Sequence, residues 1–147
     1  MAAFEHPIRV RFCEVDEYGF VWHGHYLAWF EAARIEMLRE VDLTPRLLLE
    51  IGYLVPVFDL GMVCKKPIES DAAVTVHCSI KPTEKAMLTF HYNLIETETG
   101  ETCVTGFTSH IVMNRDKKML YFLPDEIRDP IERIMKKYPA PSSTKRP

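Results

Sequence analysis

The stretch from about His23 to Val41 carries a helical pattern whose first two turns have almost no polar side. A helix that is apolar nearly all round is buried, so the rest of the fold has to enclose this one. Only its second half regains charged residues along one face. The apolar positions that recur at steps of three and four are Tyr26, Phe30, Ala33, Met37 and Val41.

Segments that favour strands stand on both sides of this helix. Before it, Ile8, Val10 and Phe12 alternate with polar residues or proline, which predicts a first strand. A long buried helix followed by a meander of strands is best covered by a sheet wrapped around it. We therefore predict an α+β fold, a curved antiparallel sheet around a central helix. The later strand-like segments are YLVPVFDLGMVCKK, AAVTVHCSI, AMLTFHYNLIET, ETCVTGFTSHIVM and KMLYFL.

The hairpin between the second and third of these segments has a predicted register. If Ile80 faces Leu88, then positions 78 and 90, 76 and 92, and 74 and 94 are all apolar pairs. In the same register His77 faces His91 on the outer side of the sheet.

Two further helices are predicted from their starting signals. Thr44 and Pro45 form an N-cap and first-turn pair for a short helix that ends near Gly52. A last helix is predicted from Asp129, with Pro130 in its first turn. We expect residues 1–138 to form a single domain and residues 139–147 to be a disordered tail.

Composition excludes several classes of function. A net charge of −3 provides no basic face, so no nucleic acid partner is expected. The sequence has no apolar run long enough to span a membrane and no signal-peptide core. Its four cysteines form no CxxC motif, which favours reduced thiols and a cytoplasmic location.

The chemistry-bearing residues lie where the first loop meets the buried helix. The segment WHGH has no Ser, Thr, Asp or Asn to cap the helix, so its first N–H groups are free to bind another group. Gly24 would let that group approach closely. Asp16 lies a few residues upstream, across a turn at Gly19. Donors that polarise a carbonyl beside a carboxylate that attacks, or that deprotonates water, could cleave an ester.

The segment RFCEVDEYGFVWHGHYLAWFEAAR resembles the opening of the hotdog-fold acyl-CoA thioesterases of the 4-hydroxybenzoyl-CoA thioesterase-like family. A weaker resemblance lies in VPVFDLGMVCKKPIESDAAV, at Pro67 and Asp71, and the likeness extends to about residue 125. It departs from the family pattern at Phe12, where Tyr is frequent, and at Glu14, where Asp is frequent. The matching positions of the first segment are Glu14, Asp16, Gly19, Val21, Trp22, His23, Tyr26, Glu31 and Arg34.

The resemblance implies roles for a few of the residues in and around the first segment. Asp16 would be the catalytic carboxylate, and the backbone N–H of His23 would polarise the thioester carbonyl. The ring of His23 would either pack locally or carry protons. Gly24 and Tyr26 would border the substrate, in a site shared by two subunits of a homodimer or of a dimer of dimers. Lys85 is a candidate for the CoA phosphates, with a solvated hairpin tip as the alternative.

Other interpretations of the same residues remain. Asp16 could simply make a local turn bond. Glu14 is expected to be solvated or structural rather than catalytic, and Glu31 could form a partly buried ion pair with Arg34. His23 and His25 point apart on a helix, so no metal site is expected, and no cofactor is implied.

The protein could also be a non-catalytic acyl-CoA or acyl-carrier binding protein, or a hotdog-fold 3-hydroxyacyl thioester dehydratase.

Overall fold

A computed structural model describes residues 3–81 and 85–140, which form a five-stranded antiparallel sheet, a two-stranded sheet and three helices. The large sheet has the strand order β1-β4-β5-β6-β3 and curves around α1, which confirms the predicted α+β class. The elements are β1 (Phe4–Arg9), α1 (His23–Arg39), α2 (Pro45–Glu50), β2 (Tyr53–Leu54), β3 (Val57–Cys64), β4 (Ala73–Lys81), β5 (Met87–Glu96), β6 (Thr102–Ile111), β7 (Met113–Asn114) and α3 (Asp125–Lys137).

Helix α1 is buried against the sheet, as predicted. Phe30, Ala33 and Met37 are completely inaccessible to solvent. The ring of Phe30 stacks on Tyr92 of β5, with a centroid separation of 4.4 Å and an angle of 6°. A Cβ at Gly106 of β6 would lie 2.5 Å from the Phe30 ring. Glycine at this position therefore lets the helix approach the sheet closely.

The first strand ends earlier than its alternating pattern suggests. β1 is an edge strand, where Pro7 costs little because an edge N–H need not pair within the sheet. After Arg9 the chain leaves the sheet and forms a 3₁₀ turn over Phe12–Glu14. The prediction that the first strand extends to Phe12 is wrong, because Phe12 lies in this turn, where its side chain is 87% exposed.

The β4–β5 register differs from the prediction by two residues. Ile80 pairs with Phe90 and Cys78 with Tyr92, so the loop is longer than predicted. A shift of two residues keeps every side chain on its predicted face, which is why the apolar pairs looked consistent. His91 consequently faces Ser79 rather than His77. The loop residues 82–84 lie outside the described part of the chain.

The helix starts were predicted with mixed success. The Thr44 side chain accepts the N–H of Leu47, with Pro45 at the first helical position, as predicted. In contrast, α3 begins at Asp125, one turn before the predicted start, and contains Pro130 in its interior. Its buried face is formed by Ile127, Ile131 and Ile134.

The segment KMLYFL is not a strand. Its only strand-like pairing within the described chain is an isolated bridge from Met119 to Met113. The reason is a tight turn in which the Asn114 side chain accepts the N–H groups of Asp116 and Lys118. Beyond the turn, the side chain of Tyr121 is exposed, and its backbone carbonyl accepts the N–H of Ala86.

The end of the described chain returns to the sheet. Pro139 forms a parallel bridge with Ile80, and the N–H of Ala140 donates to the Ile80 carbonyl at 3.3 Å. These two residues of the predicted tail are therefore paired, and residues 141–147 lie outside the described part. No helix in the described ranges has the length and apolar character needed to cross a bilayer.

Candidate active site

The loop between β1 and α1 folds into a small hairpin that places Asp16 at a corner. Val15 bridges to Val21, and the N–H of Asp16 donates to the Phe20 carbonyl at 2.8 Å. The N–H of Gly19 then donates to the Asp16 carbonyl at 3.0 Å. Gly19 has a φ of 81°, a conformation that glycine adopts without steric cost.

Glu14 fastens this loop to the helix. Its carboxylate is buried and accepts the indole N–H of Trp29 at 3.0 Å and the backbone N–H of Arg11 at 2.8 Å. The Arg11 guanidinium lies 3.3 Å from the same carboxylate. Burial alone would raise the pKa of Glu14, but the hydrogen bonds and the Arg11 charge outweigh it and hold the pKa below its ordinary value. Of the two environments expected for Glu14, solvated or structural, the structure shows the structural one.

Asp16 is exposed and uses one carboxylate oxygen locally. Its Oδ1 accepts the N–H of Tyr18 at 2.9 Å, which is the turn bond considered from the sequence. Its Oδ2 has no hydrogen-bond partner among the residues that the structure describes. The turn bond fixes the side chain and leaves one oxygen available, so the structural and chemical roles of Asp16 are compatible.

The N-terminus of α1 is uncapped. Trp22 is the N-cap residue and makes no side-chain cap. Within the described ranges, the backbone N–H groups of His23 and Gly24 have no acceptor. Unpaired donors and the partial positive charge of a helix start suit a carbonyl oxygen that gains negative charge.

The close approach of Trp22 leaves no room for a side chain at position 24. A Cβ at this position would lie 2.1 Å from the indole ring of Trp22, which rests over the glycine. The same indole contacts the rings of His23 and His25, at centroid distances of 5.2 and 5.5 Å. The close approach predicted at Gly24 is therefore made here by Trp22, whose side chain is half exposed and can move.

Three of the predicted site residues line one cleft of about 400 Å³. Asp16 and His23 stand at its exposed side, while Tyr26 is buried. Burial, with smaller contributions from nearby thiols and Asp16, raises the pKa of Tyr26 to about 12, so its phenol stays protonated at neutral pH. The opposite wall is formed by residues 64–67, which begin at the last residue of β3.

The two lysines of that wall differ in their environment. Lys66 lies 2.9 Å from Glu96 and 2.7 Å from Glu101, and these carboxylates raise its pKa. Lys65 is exposed and forms no ion pair with any described residue. Sequence reasoning missed Lys65 as a cleft residue, although the KKP run before the predicted strand-to-strand turn marks it.

Lys85 does not line the cleft that contains Asp16. It lines a separate pocket beside α3, together with Phe122 and Glu132. It precedes the start of β5, whose Leu88 pairs with His110, whereas the Asp16 cleft lies near the opposite end of β6. The structure therefore does not bring Lys85 to Asp16 in one subunit.

The predicted ion pair between Glu31 and Arg34 is wrong. Glu31 is exposed, and Arg34 turns toward the sheet, where it donates to the hydroxyl of Tyr92 at 3.1 Å. Among the described residues, no group of three His, Cys, Asp or Glu side chains is placed to hold a metal ion.

Comparison with known proteins gives consistent matches. A family model described as the thioesterase superfamily matches residues 18–103, more than half of the chain. A Synechocystis protein with the provisional name of esterase is 31% identical over 127 residues, covering 86% of this chain and 76% of that protein. The acyl-CoA thioester hydrolase YbgC of Escherichia coli O6:H1 is 26% identical over 95 residues, covering 65% of this chain and 71% of the relative.

A solved structure matches as well. The DHNA-CoA thioesterase from Staphylococcus aureus superimposes with a TM-score of 0.79 at 26% identity, covering 93% of this chain and 91% of that one. The predicted hotdog arrangement of the sheet and central helix is thereby confirmed.

Proposed function

Because this chain belongs to the thioesterase superfamily, we propose that it hydrolyses acyl-CoA thioesters with Asp16 as the reacting carboxylate. One observation carries the proposal: the Asp16 carboxylate and the uncapped start of α1 border the same cleft. A thioester whose carbonyl oxygen accepts the N–H of His23 would present its carbon to that side of the cleft. The names of relatives such as the E. coli hydrolase support this substrate class.

The proposed reaction adds water across the thioester bond and releases a carboxylic acid and the CoA thiol. The N–H groups of His23 and Gly24 stabilise the oxyanion that forms. Asp16 acts in one of two ways. It attacks the acyl carbon, forming an anhydride that water then opens, or it takes a proton from the attacking water. Neither route needs a metal or a cofactor.

Substrate contacts are proposed for the residues around these groups. Gly24 and Tyr26 border the acyl end, and the exposed ammonium of Lys65 suits a CoA phosphate. A role for Lys85 in binding the nucleotide would require a second subunit, because Lys85 lies far from Asp16 in its own chain.

We propose a homodimer, or a dimer of dimers, joined through the free edge of β3. β3 is the last strand of the sheet, and it exposes several large apolar side chains along that edge. Exposed apolar edges favour pairing with another chain. The exposed side chains are Val57, Phe58, Leu60 and Val63.

Residues 1–138 are proposed to act as one thioesterase domain in the cytoplasm. The four cysteines, at positions 13, 64, 78 and 103, are all free thiols, which suits a reducing compartment.

The decisive experiment compares Asp16→Asn with Glu17→Gln. Asparagine can still accept the Tyr18 N–H, so the turn is preserved while the reactive oxygen is lost. Glu17 is an exposed acid in the same turn and serves as the matched control. In an assay that traps the released thiol, Asp16→Asn should lose nearly all turnover of acyl-CoA and Glu17→Gln should keep it.

Wild-type turnover in Asp16→Asn would remove the proposed role of Asp16. If the wild-type protein binds acyl-CoA without releasing thiol, it is a non-catalytic binding protein instead.

A further inference from the structure

A second cavity, of about 340 Å³, lies near the C-terminal half of α1. It is enclosed by the three helices and the chain around β2, and its volume falls in the range of small-molecule sites. Most of its lining is apolar, including Leu38, Leu43, Leu48, Ile127 and Ile131.

This cavity is separate from the cleft of Asp16. Cys64, in the wall of the cleft, pairs with Val104 of β6, whereas His110 of the cavity lies six residues further along the same strand. Six strand residues span about 20 Å. Between them, the fully buried ring of Phe30 packs over Gly106 and closes the space between helix and sheet.

One end of the cavity is polar. The Arg34 guanidinium donates to the hydroxyl of Tyr92 at 3.1 Å, and that hydroxyl lies 2.6 Å from Thr108 Oγ1. Thr108 Oγ1 is 2.9 Å from His110 Nε2, and His110 Nδ1 is 3.1 Å from the Val55 carbonyl. These four side chains, Arg34, Tyr92, Thr108 and His110, form what we call the polar network.

The hydrogen bonds that join Tyr92, Thr108 and His110 are mutually consistent when His110 is neutral. Since the Val55 carbonyl can only accept, His110 carries its proton on Nδ1, and its Nε2 accepts from Thr108. Thr108 in turn accepts from Tyr92, which accepts from Arg34. Burial, reinforced by the charge of Arg34, lowers the pKa of His110 to about 4, so the ring is uncharged at neutral pH.

Arg34 is therefore the one formal charge in the lining of this cavity. Its guanidinium is half-buried, lies 5.9 Å from the Phe90 ring, and forms no ion pair with any residue in the described ranges. A charge that is partly removed from water beside apolar walls favours an anion as its partner.

We propose that this cavity binds a carboxylic acid with an unbranched hydrocarbon body, whose carboxylate pairs with Arg34 and whose chain lies against the leucine and isoleucine side chains. The guanidinium can hold a carboxylate through two parallel N–H donors. A free acid of this class would also be a product of the proposed hydrolysis, but binding in the cavity does not depend on that reaction.

The test is titration calorimetry of the intact protein with decanoate, and with 1-decanol as an uncharged probe. Wild type should bind one decanoate per chain, and about tenfold more tightly than 1-decanol, because only the acid pairs with Arg34. Arg34→Met keeps an unbranched side chain and removes the charge, so it should reduce decanoate affinity to the level of the alcohol. Asp16→Asn should bind decanoate like wild type, whether or not Asp16 proves to be catalytic.

Two further measurements guard against a variant that fails to fold. Leu49→Trp places a larger side chain at the exposed wall of the cavity and leaves Arg34 unsubstituted. It should weaken decanoate binding by about tenfold. In the wild-type protein, the imidazole nitrogen signals of His110 should shift on addition of decanoate.

Several outcomes would overturn the proposal. They are no decanoate binding to the wild-type protein, equal affinity for the acid and the alcohol, and unchanged His110 signals under saturation. Binding lost in Asp16→Asn but kept in Arg34→Met would place the acid in the other cleft.

Discussion

The indole N–H of Trp29 donates to the buried carboxylate of Glu14 over 3.0 Å, which joins the Asp16 loop to the helix whose start it faces. The chain can thus hold a solvent-exposed carboxylate beside helix donors without burying that carboxylate. The positioning depends on a different acid two residues earlier, which is 4% exposed.

Replacing Glu14 should therefore impair catalysis without touching the substrate. Glu14→Ala leaves the Trp29 indole and the Arg11 amide without their acceptor, which should lower the free energy of unfolding by about 1–3 kcal/mol. Because Asp16 would lose its fixed position, kcat should fall while KM for acyl-CoA changes little. Urea unfolding and steady-state kinetics measure the two effects. A loss of stability with unchanged kcat would show that Glu14 supports only the fold.

Gly24→Ala should change activity more than stability. The added Cβ collides with the half-exposed Trp22 ring, which can swing away, and alanine favours a helix by about 1 kcal/mol over glycine. The displaced indole and the new methyl group would crowd the free donors at the helix start. We expect a clear fall in kcat/KM and a shift in tryptophan fluorescence. The double variant Trp22→Ala/Gly24→Ala should regain activity relative to Gly24→Ala, and failure to regain it would place the obstruction at the methyl group itself.

Gly106→Ala should destabilise the fold, because the neighbour here cannot move. The Cβ would lie 2.5 Å from the Phe30 ring and 3.0 Å from the Gly61 carbonyl. Phe30 is completely buried and stacked on Tyr92, so overpacking should cost about 1–3 kcal/mol. Chemical denaturation measures this loss. With Phe30→Leu as the partner change, the double variant should be more stable than the sum of the two single effects predicts. Additive effects would contradict a contact between the two residues.

The fold could be predicted because its main signals are local and repetitive. An apolar helix such as α1 has few ways to be buried, and β-branched and aromatic runs mark the strands around it. The β4–β5 register was missed because a two-residue slip preserves which face each side chain occupies. The start of α3 was missed because proline is typical of a first turn, whereas Pro130 lies in the interior of this helix.

The candidate site was likewise predicted only in part from the sequence. Asp16, His23 and Tyr26 lie close together in sequence, so one loop and one helix start bring them to the same cleft. Lys65 comes from the end of β3, and its place opposite Asp16 depends on strand order. The partner of Arg34 was predicted wrongly for a related reason. Helical spacing suggested Glu31, but a residue buried against the sheet finds its partners on β5 and β6.

His110 should make stability depend on pH in a defined window. Its pKa is about 4 in the folded protein and 6.5 ordinarily, so between these values the unfolded chain binds a proton that the folded chain does not. The folded state is then favoured fully above about pH 6.5, and loses up to about 3 kcal/mol as the pH falls to about 4. His110→Gln keeps a donor and an acceptor but removes the titration. As the pH falls from about 6.5 to about 4, the unfolding free energy of the wild type should fall by about 3 kcal/mol relative to that of His110→Gln. A constant difference would contradict a buried, neutral His110.

Leu60→Lys should separate the proposed subunits. The Leu60 side chain is 47% exposed on β3, the free edge of the sheet, and a lysine there would place a charge in the middle of a joined sheet. Tyr121→Lys, which changes an exposed aromatic residue in the segment after β7, is the matched control. Light scattering should show a smaller particle for Leu60→Lys and no change for Tyr121→Lys. If the site is shared between subunits, the rate of hydrolysis should fall as the fraction of dimer falls, and it should recover at higher protein concentration. A monomeric variant with wild-type turnover would show that each chain carries a complete site.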